Sequence, residues 1–426
     1  TSNISVSSIY GKIYERAFQY SGIDKVTENI RNLSENDRDF QMGIIKNSIN
    51  TSLISEYLDN PVMSCTDYLK EYSRRDIERL VLEISDRVIE SKIEVDGRCT
   101  WVSYVSNVVS HTYGYKPIGL DIANGNMGVA VFLGAVYRYT GDSRYLKEID
   151  LAIQPIADVL KYSWSSKEFI SRFETGITTG VSSVIYGFVK LFEFTGRKKY
   201  LKYAIRFANL VTDGDVVKAT RQDIVSGNAG LLLSMVSLYE LRGDKVFLDR
   251  INFIYDLLIK KGFNENDFLN WDYQENKKLI GFSHGSSGVL YAISVALPYL
   301  RNYKSAIKKI EAIINYEDNH YNSIKNNWYD YRFDKPNIEI VSWCHGGLGV
   351  GMSRFELLAK KINLNKIKKD IKNSIKKVLE TKEHFLDTIC CGNGGRIDMM
   401  LEIKNLGIGS KYTDDYLEKI IRSMIF

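Results

Sequence analysis

The stretch "NGNMGVAVFLGAVYRYTGDSRYL", residues 124–146, returns twice without a gap. Residues 179–201 read "TGVSSVIYGFVKLFEFTGRKKYL", and residues 226–248 read "SGNAGLLLSMVSLYELRGDKVFL". Gly125, Gly180 and Gly227 open the three copies, and Gly141, Gly196 and Gly243 follow sixteen residues later. Further copies keep the opening alone: "HGSSGVLYAISVALPYL" from 284, "HGGLGVGMSRFELLAKK" from 345 and "CGNGGRIDMMLEIKNLG" from 391. The six opening glycines stand at 125, 180, 227, 285, 346 and 392, so the period runs from 46 to 61 residues. A period of that length means a repeated supersecondary unit.

Each unit reads as two helices. The G-x-x-G stretch allows close backbone approach and positive φ before an apolar helix of about four turns. The glycine near the end of that helix suits a C-terminal cap. The remainder of each period, as in "SRYLKEIDLAIQPIADVLKY", is amphipathic and more charged. One apolar and one half-polar helix per unit predict an inner and an outer layer. With no polar capping repeat, the fold expected is all-α: an (α/α)6 toroid with an N-terminal helical extension.

Composition agrees with that class. Five prolines in 426 residues leave long helices uninterrupted. The 57 basic and 52 acidic residues are interspersed, and a net charge of +5 is too weak for a nucleic-acid binder. No run of about 18 apolar residues predicts a membrane-spanning helix. The opening "TSNISVSSIYGKIYERAF" lacks the apolar core of a secretory signal. Five cysteines, two of them adjacent, make a poor disulfide framework, and Cys65 and Cys99 read as small apolar residues. The reducing cytoplasm is the expected compartment, and the richness in lysine, asparagine, isoleucine and tyrosine suggests an AT-rich bacterial genome.

In a toroid the six loops gather at one rim, so residues just before the opening glycines become neighbours. These residues are Asn124, Thr179, Ser226, His284, His345 and Cys391, preceded in the last two loops by Cys344 and Cys390. Three of five cysteines and two of five histidines therefore meet on one rim. That is the composition of a metal site, with zinc the expected ion. The residues alone leave open which of these side chains bind it, and His345 is as eligible as the cysteines.

The motifs "GFSHGSSG", "SWCHGGLG" and "ICCGNGG", in that order on this repeat, resemble the lanthionine synthetase C family. With "TWVSYVS" at 100–106 ahead of the first repeat, residues 76–426 resemble the C-terminal cyclase domain of LanM-type (class II) lanthipeptide synthetases. Residues 1–75 resemble, more weakly, the join to a dehydratase domain, which the resemblance places upstream in the same polypeptide. It also implies one zinc ion on Cys344, Cys390 and Cys391, with Cys391 where stand-alone cyclases carry His. His345 and Trp343 then stand behind the ligands, Trp343 as pocket wall. The substrate implied is a dehydrated precursor peptide, whose cysteine thiols add to dehydroalanine or dehydrobutyrine to form thioether rings.

Such an addition needs a thiolate and then a proton donor for the enolate that forms. His284 is the rim residue suited to donate that proton, and the resemblance gives it the same role. Asp223 in "RQDIVSGNAG" matches the family's catalytic Asp, although by itself it reads as an N-terminal cap residue. Two other classes compete. An α-toroid glycosidase would want two rim carboxylates, where this rim carries thiols and imidazoles. A zinc-dependent thiol- or peptide-binding module would need no His284–Asp223 pair. "KKINLNKIKKDIKNSIKK", residues 360–377, reads as an outer helix with a basic face, or as a docking surface for an acidic peptide.

Overall fold

A computed structural model describes residues 6–7, 13–14, 21–59, 71–107, 112–265, 267–273, 277–333, 335–384 and 386–425. Cys65 lies outside these residues. The chain divides into two compact units, Thr1–Val62 with Ser103–Lys116, and Met63–Val102 with Pro117–Phe426. In the first unit, α1 (Gly22–Arg31) and α2 (Glu35–Asp59) are the described helices. Ser21 and Asp24 cap α1 reciprocally, each side chain meeting the other's backbone N–H.

The second unit carries the repeat. Its inner helices are α4 (Asn126–Thr140), α7 (Val181–Thr195), α10 (Asn228–Arg242), α12 (Ser286–Ala296), α14 (Gly347–Ala359) and α16 (Asn393–Asn405). The helices paired with them outside are α5 (Arg144–Asp158), α8 (Lys198–Leu210), α11 (Lys245–Lys261), α13 (Tyr303–Asp318), α15 (Leu364–Leu379) and α17 (Lys411–Ile425). Before the first repeat stands α3 (Arg74–Glu90), and short α6 (Ser163–Arg172) and α9 (Asp213–Lys218) lie in connections. Each inner helix packs on the next inner one and on its own outer partner. Helix α3 touches both α4 and α17, so the last hairpin returns to the first and the ring is an (α/α)6 toroid.

The two layers follow from side-chain spacing. Every residue of α10 from Asn228 to Val236 is buried, because an inner helix is covered on all flanks. Outer α5 buries Tyr145, Ile149, Ala152, Ile153 and Ile156, one helical face. Fully buried leucines such as Leu133, Leu232 and Leu290 each stand for about 2–5 kcal/mol against truncation to Ala. Lysine-rich α15 is an outer helix that buries Ile367, Asp370, Ile371 and Val378.

Glycine does two different jobs in the unit. Gly141, Gly196 and Gly243 end their helices at φ of 71°, 68° and 66°, the left-handed cap that favours glycine. The opening glycines were expected to need positive φ as well, but only Gly346 does, at 81°. The other five are extended, and what they lack is room. A Cβ on the second glycine of the loop, at 128, 230, 288, 349 or 395, would lie 2.1–2.5 Å from the carbonyl oxygen six residues earlier. The loop folds back onto the first helical turn, and only glycine permits that approach.

Candidate metal centre

Backbone hydrogen bonds stitch successive loops into the rim. The Ala123 N–H donates to Thr178 O at 3.1 Å and Gly176 N–H to Ser226 O at 2.9 Å. Further round, Ser283 N–H donates to Cys344 O at 3.1 Å and Cys344 N–H to Cys390 O at 3.3 Å. Positions far apart in the chain therefore stand side by side, as the repeat register requires.

Cys344, Cys390 and Cys391 meet there, with all three Sγ atoms within 4.8 Å of one another. Cys391 Sγ lies 3.7 Å from Cys344 Sγ and 3.4 Å from Cys390 Sγ, and the three are free thiols. A disulfide would need about 2.05 Å. Sulfurs around one tetrahedral ion, at bonds of about 2.3 Å, would stand about 3.8 Å apart, so the observed triangle fits a thiophilic metal. Cys344 is buried at the base while Cys390 and Cys391 are exposed, which leaves the outer side of the triangle open. Hydrogen bonds from Cys390 and Cys391 hold the Cys344 thiol far below its ordinary value, helped by Ser342 Oγ at 3.1 Å. That thiolate in turn raises Cys390, and pushes Cys391 up to about 11.

His284 stands on the neighbouring loop, one residue after Ser283, with Nδ1 3.4 Å from Asp223 Oδ2. That separation is long for a hydrogen bond, and the His284 Nδ1 has no formed partner. Asp223 also accepts from the Ser226 N–H at 2.8 Å, so it serves as a turn residue and as the carboxylate facing His284. The Tyr273 ring lies 4.5 Å from the His284 ring. The Arg221 guanidinium lies 4.2 Å from the centre of the Tyr273 ring and donates to the Tyr273 carbonyl at 2.8 Å.

His345 points away from the sulfurs. Its Nε2 lies 3.2 Å from Ser283 Oγ and its Nδ1 3.8 Å from Asp330 Oδ1. Burial, with the nearby Arg332 charge, pushes the imidazole down to about 4, so it is neutral at pH 7. Asp330 is gripped by Arg332 through both carboxylate oxygens at 2.7–3.1 Å. Trp343 meets Phe282 edge-on at 5.0 Å. Together with Ile122, Ile177 and Ile224, these two rings face a cavity of about 440 Å³ inside the ring.

Beneath the His284 and Cys344 loops runs a buried ionic chain. Ser286 and Ser287, at the start of α12, donate to Glu317 Oε1 at 2.7 and 2.8 Å. Glu317 pairs with Arg354 on α14 at 2.6 Å, and Arg354 with Asp370 on α15 at 3.0 Å, all essentially unexposed. Where other inner helices begin with an anchoring side chain such as Asn126 or Asn228, α14 begins with Gly347. Asn327 fills that space from the preceding hairpin, accepting from the Gly347 N–H at 2.7 Å.

The seven candidate site residues, Asp223, His284, Trp343, Cys344, His345, Cys390 and Cys391, thus lie in one region, and three of them form the sulfur cluster. Tyr273, Asp330 and Arg332 escaped notice because they lie in connections between repeats, where no register marks them. Arg221 was within reach, two residues before Asp223 in a stretch already conspicuous.

Residues 116–426 match the family of lanthionine synthetase C-like proteins. Among solved structures, nisin cyclase is similar over 81% of this chain and 86% of its own, at 16% identity and a TM-score of 0.58. D-mannose isomerase covers 83% of this chain and 99% of its own at 11% identity and a TM-score of 0.47. Cellobiose 2-epimerase from Bacillus thermoamylovorans B4167 covers 72% and 89%, at 15% identity and 0.43. At 16% identity the likeness to nisin cyclase speaks for the fold alone. No curated protein sequence matches the chain. The match over residues 116–426 takes in all six repeat openings and every sulfur of the cluster, and the chain belongs to the lanthionine synthetase C-like family.

Proposed function

We propose that the protein is a lanthipeptide cyclase, closing lanthionine and methyllanthionine rings by adding peptide cysteine thiols to dehydroalanine or dehydrobutyrine. The observation that carries this reading is a three-thiol cluster and a histidine–carboxylate pair on one rim of a family member's toroid. Cys344, Cys390 and Cys391 would hold one zinc ion, leaving its fourth position to a substrate thiol. A zinc ion bound there supplies deprotonation of that thiol, whose free pKa is about 8.5.

The rest of the work falls to the chain. Three anionic sulfur donors make the centre electron-rich, which favours sulfur nucleophilicity over carbonyl polarisation and so addition over peptide hydrolysis. Addition leaves an enolate whose α-carbon must be protonated. His284, about a quarter exposed, is the rim residue able to carry that proton. With Nδ1 turned to Asp223, its Nε2 is the nitrogen left for the substrate. Tyr273 limits the tilt of the ring from one side. Neutral His345 supports the loop of Cys344 through Ser283.

The finer assignment to the LanM type rests on Cys391 in place of His and on "TWVSYVS" ahead of the repeats. On that reading residues 1–75 join the cyclase, residues 76–426, to a dehydratase domain that prepares the same precursor peptide. No helix among the described residues is long and apolar enough to cross a membrane. Mass spectrometry of a pre-dehydrated peptide, with a thiol-blocking reagent to count unreacted cysteines, tests the activity. Loss of reactive thiols without mass change is expected, and a metal-stripped chain with undiminished ring closure would sink the mechanism.

A further inference from the structure

Beside the rim, between α6 and α9, lies a second cavity of about 370 Å³. Its walls combine Ile170 and Phe173 at the end of α6 with Val211 before α9. Across them stand Thr220 and Arg221, and the rim residue Ser226 closes the inner end. The volume falls in the range of ligand clefts, about 300–1,000 Å³. None of the residues assigned to the reaction lines it.

The cavity is nevertheless continuous with the site through two of its own residues. Arg221 lines it and also covers Tyr273, which packs against His284. Ser226 lines it and also stands at the rim position that His284 and Cys391 occupy in later repeats. The side-chain hydroxyls of Thr220 and Ser226 make no hydrogen bond to other described residues, although both face this space. Free hydroxyls beside an apolar wall are the groups that pair with an extended backbone while small aliphatic side chains fill the wall. Outward, Trp164 stands seven residues before Ser171, two helical turns along one face of α6, 63% exposed and stacked on Tyr162 at 6.1 Å.

We propose that this groove binds the stretch of precursor peptide flanking the reacting residue, as a short extended segment of small aliphatic residues running outward along α6. The identity of the occupant rests on the cyclase reading. The groove then bears on which thiol reaches the rim, because Arg221 and Ser226 belong to both. Two carboxylates, Glu174 and Asp215, and two cations, Lys218 and Arg221, line it, so neither sign prevails and recognition falls to shape and backbone pairing.

The test separates binding from ring closure. Two fluorescein-labelled peptides carry dehydroalanine with serine in place of cysteine, one flanked by Val-Ile-Ala and the other by Gly-Ser-Gly. Anisotropy with the full chain should show the aliphatic flank binding about tenfold tighter. Ser171→Trp, and separately Thr220→Arg, should reduce that preference to less than about twofold, with unchanged circular dichroism. Equal binding of the two peptides by the wild-type chain, or a preference that survives both variants, overturns the proposal. Ring closure of the cysteine-containing peptide by the wild-type chain is scored apart. A flank preference without closure would defeat the cyclase reading and leave the groove standing.

Discussion

The first three repeats and the last three share one backbone and differ in what they place on the rim. Asn124, Thr179 and Ser226 stand where His284, His345 and Cys391 stand half a ring away. Below the rim the contrast continues. The early inner helices begin with neutral anchors: Asn126 donates to Cys99 O and Ala152 O, and Asn228 to Val216 O. Two of the later ones, α12 and α14, stand over the buried Glu317–Arg354–Asp370 chain, while α16 begins with the neutral anchor Asn393. One half of the ring is scaffold, and the other half holds groups whose charges must be kept in place.

Substitution at equivalent rim positions should break the symmetry most completely. Cys391→Ala is expected to abolish stoichiometric metal and reduce ring closure to background, while Asn124→Ala in the first repeat changes neither. Metal analysis by plasma mass spectrometry and the thiol-counting assay check both. His284→Asn should keep the metal and lose about 10²–10⁴-fold in turnover, as removal of a general acid does. Asp223→Asn should cost about tenfold and shift the pH profile, since it orients His284 and touches no reacting atom. Metal lost together with turnover in His284→Asn would make that residue a ligand, and the division of labour on the rim would be wrong.

Smaller effects sharpen the contrast below the rim. Arg354→Ala leaves Glu317 buried without a cation and Asp370 with Lys366 alone, and should cost about 3–5 kcal/mol in urea unfolding. In the early half the corresponding test is Asp158, at the end of α5. Burial raises its pKa, but hydrogen bonds from Lys161, Arg98 and Gln154 outweigh that and hold it at about 2. A carboxylate depressed in the folded state stabilises above its unfolded value near 4, and that contribution fades as the pH falls through 2. Asp158→Asn should therefore cost about 1 kcal/mol at pH 7, discounted for the half-exposed Arg98, and almost nothing below pH 2. Ring closure should be untouched.

Glycine spacing made the ring legible, because each loop folds back on its helix so closely that a Cβ has nowhere to go. Gly128 and Gly288, in different halves, would each drive that atom to within about 2.2 Å of a carbonyl oxygen. The caps at Gly141, Gly196 and Gly243 were readable for a second reason, the left-handed φ. The opening glycines misled on this point, since crowding and positive φ leave the same residue in the sequence. Tyr273, Asp330, Arg332 and Asn327 were invisible because connections between repeats carry no period.

By itself the sequence determined the period, the two kinds of helix and the rim positions of Cys344, Cys390, Cys391 and His284. All of these depend on local backbone geometry repeated at intervals, which composition and spacing record directly. Only the tertiary structure decided that His345 turns to Ser283 and Asp330 rather than to the sulfurs. It also decided that Arg221 and Tyr273 close on His284, and that a groove opens from the rim between α6 and α9. Those outcomes follow from which side chains meet after the ring has closed, and residues adjacent across a ring leave no spacing between them in the chain.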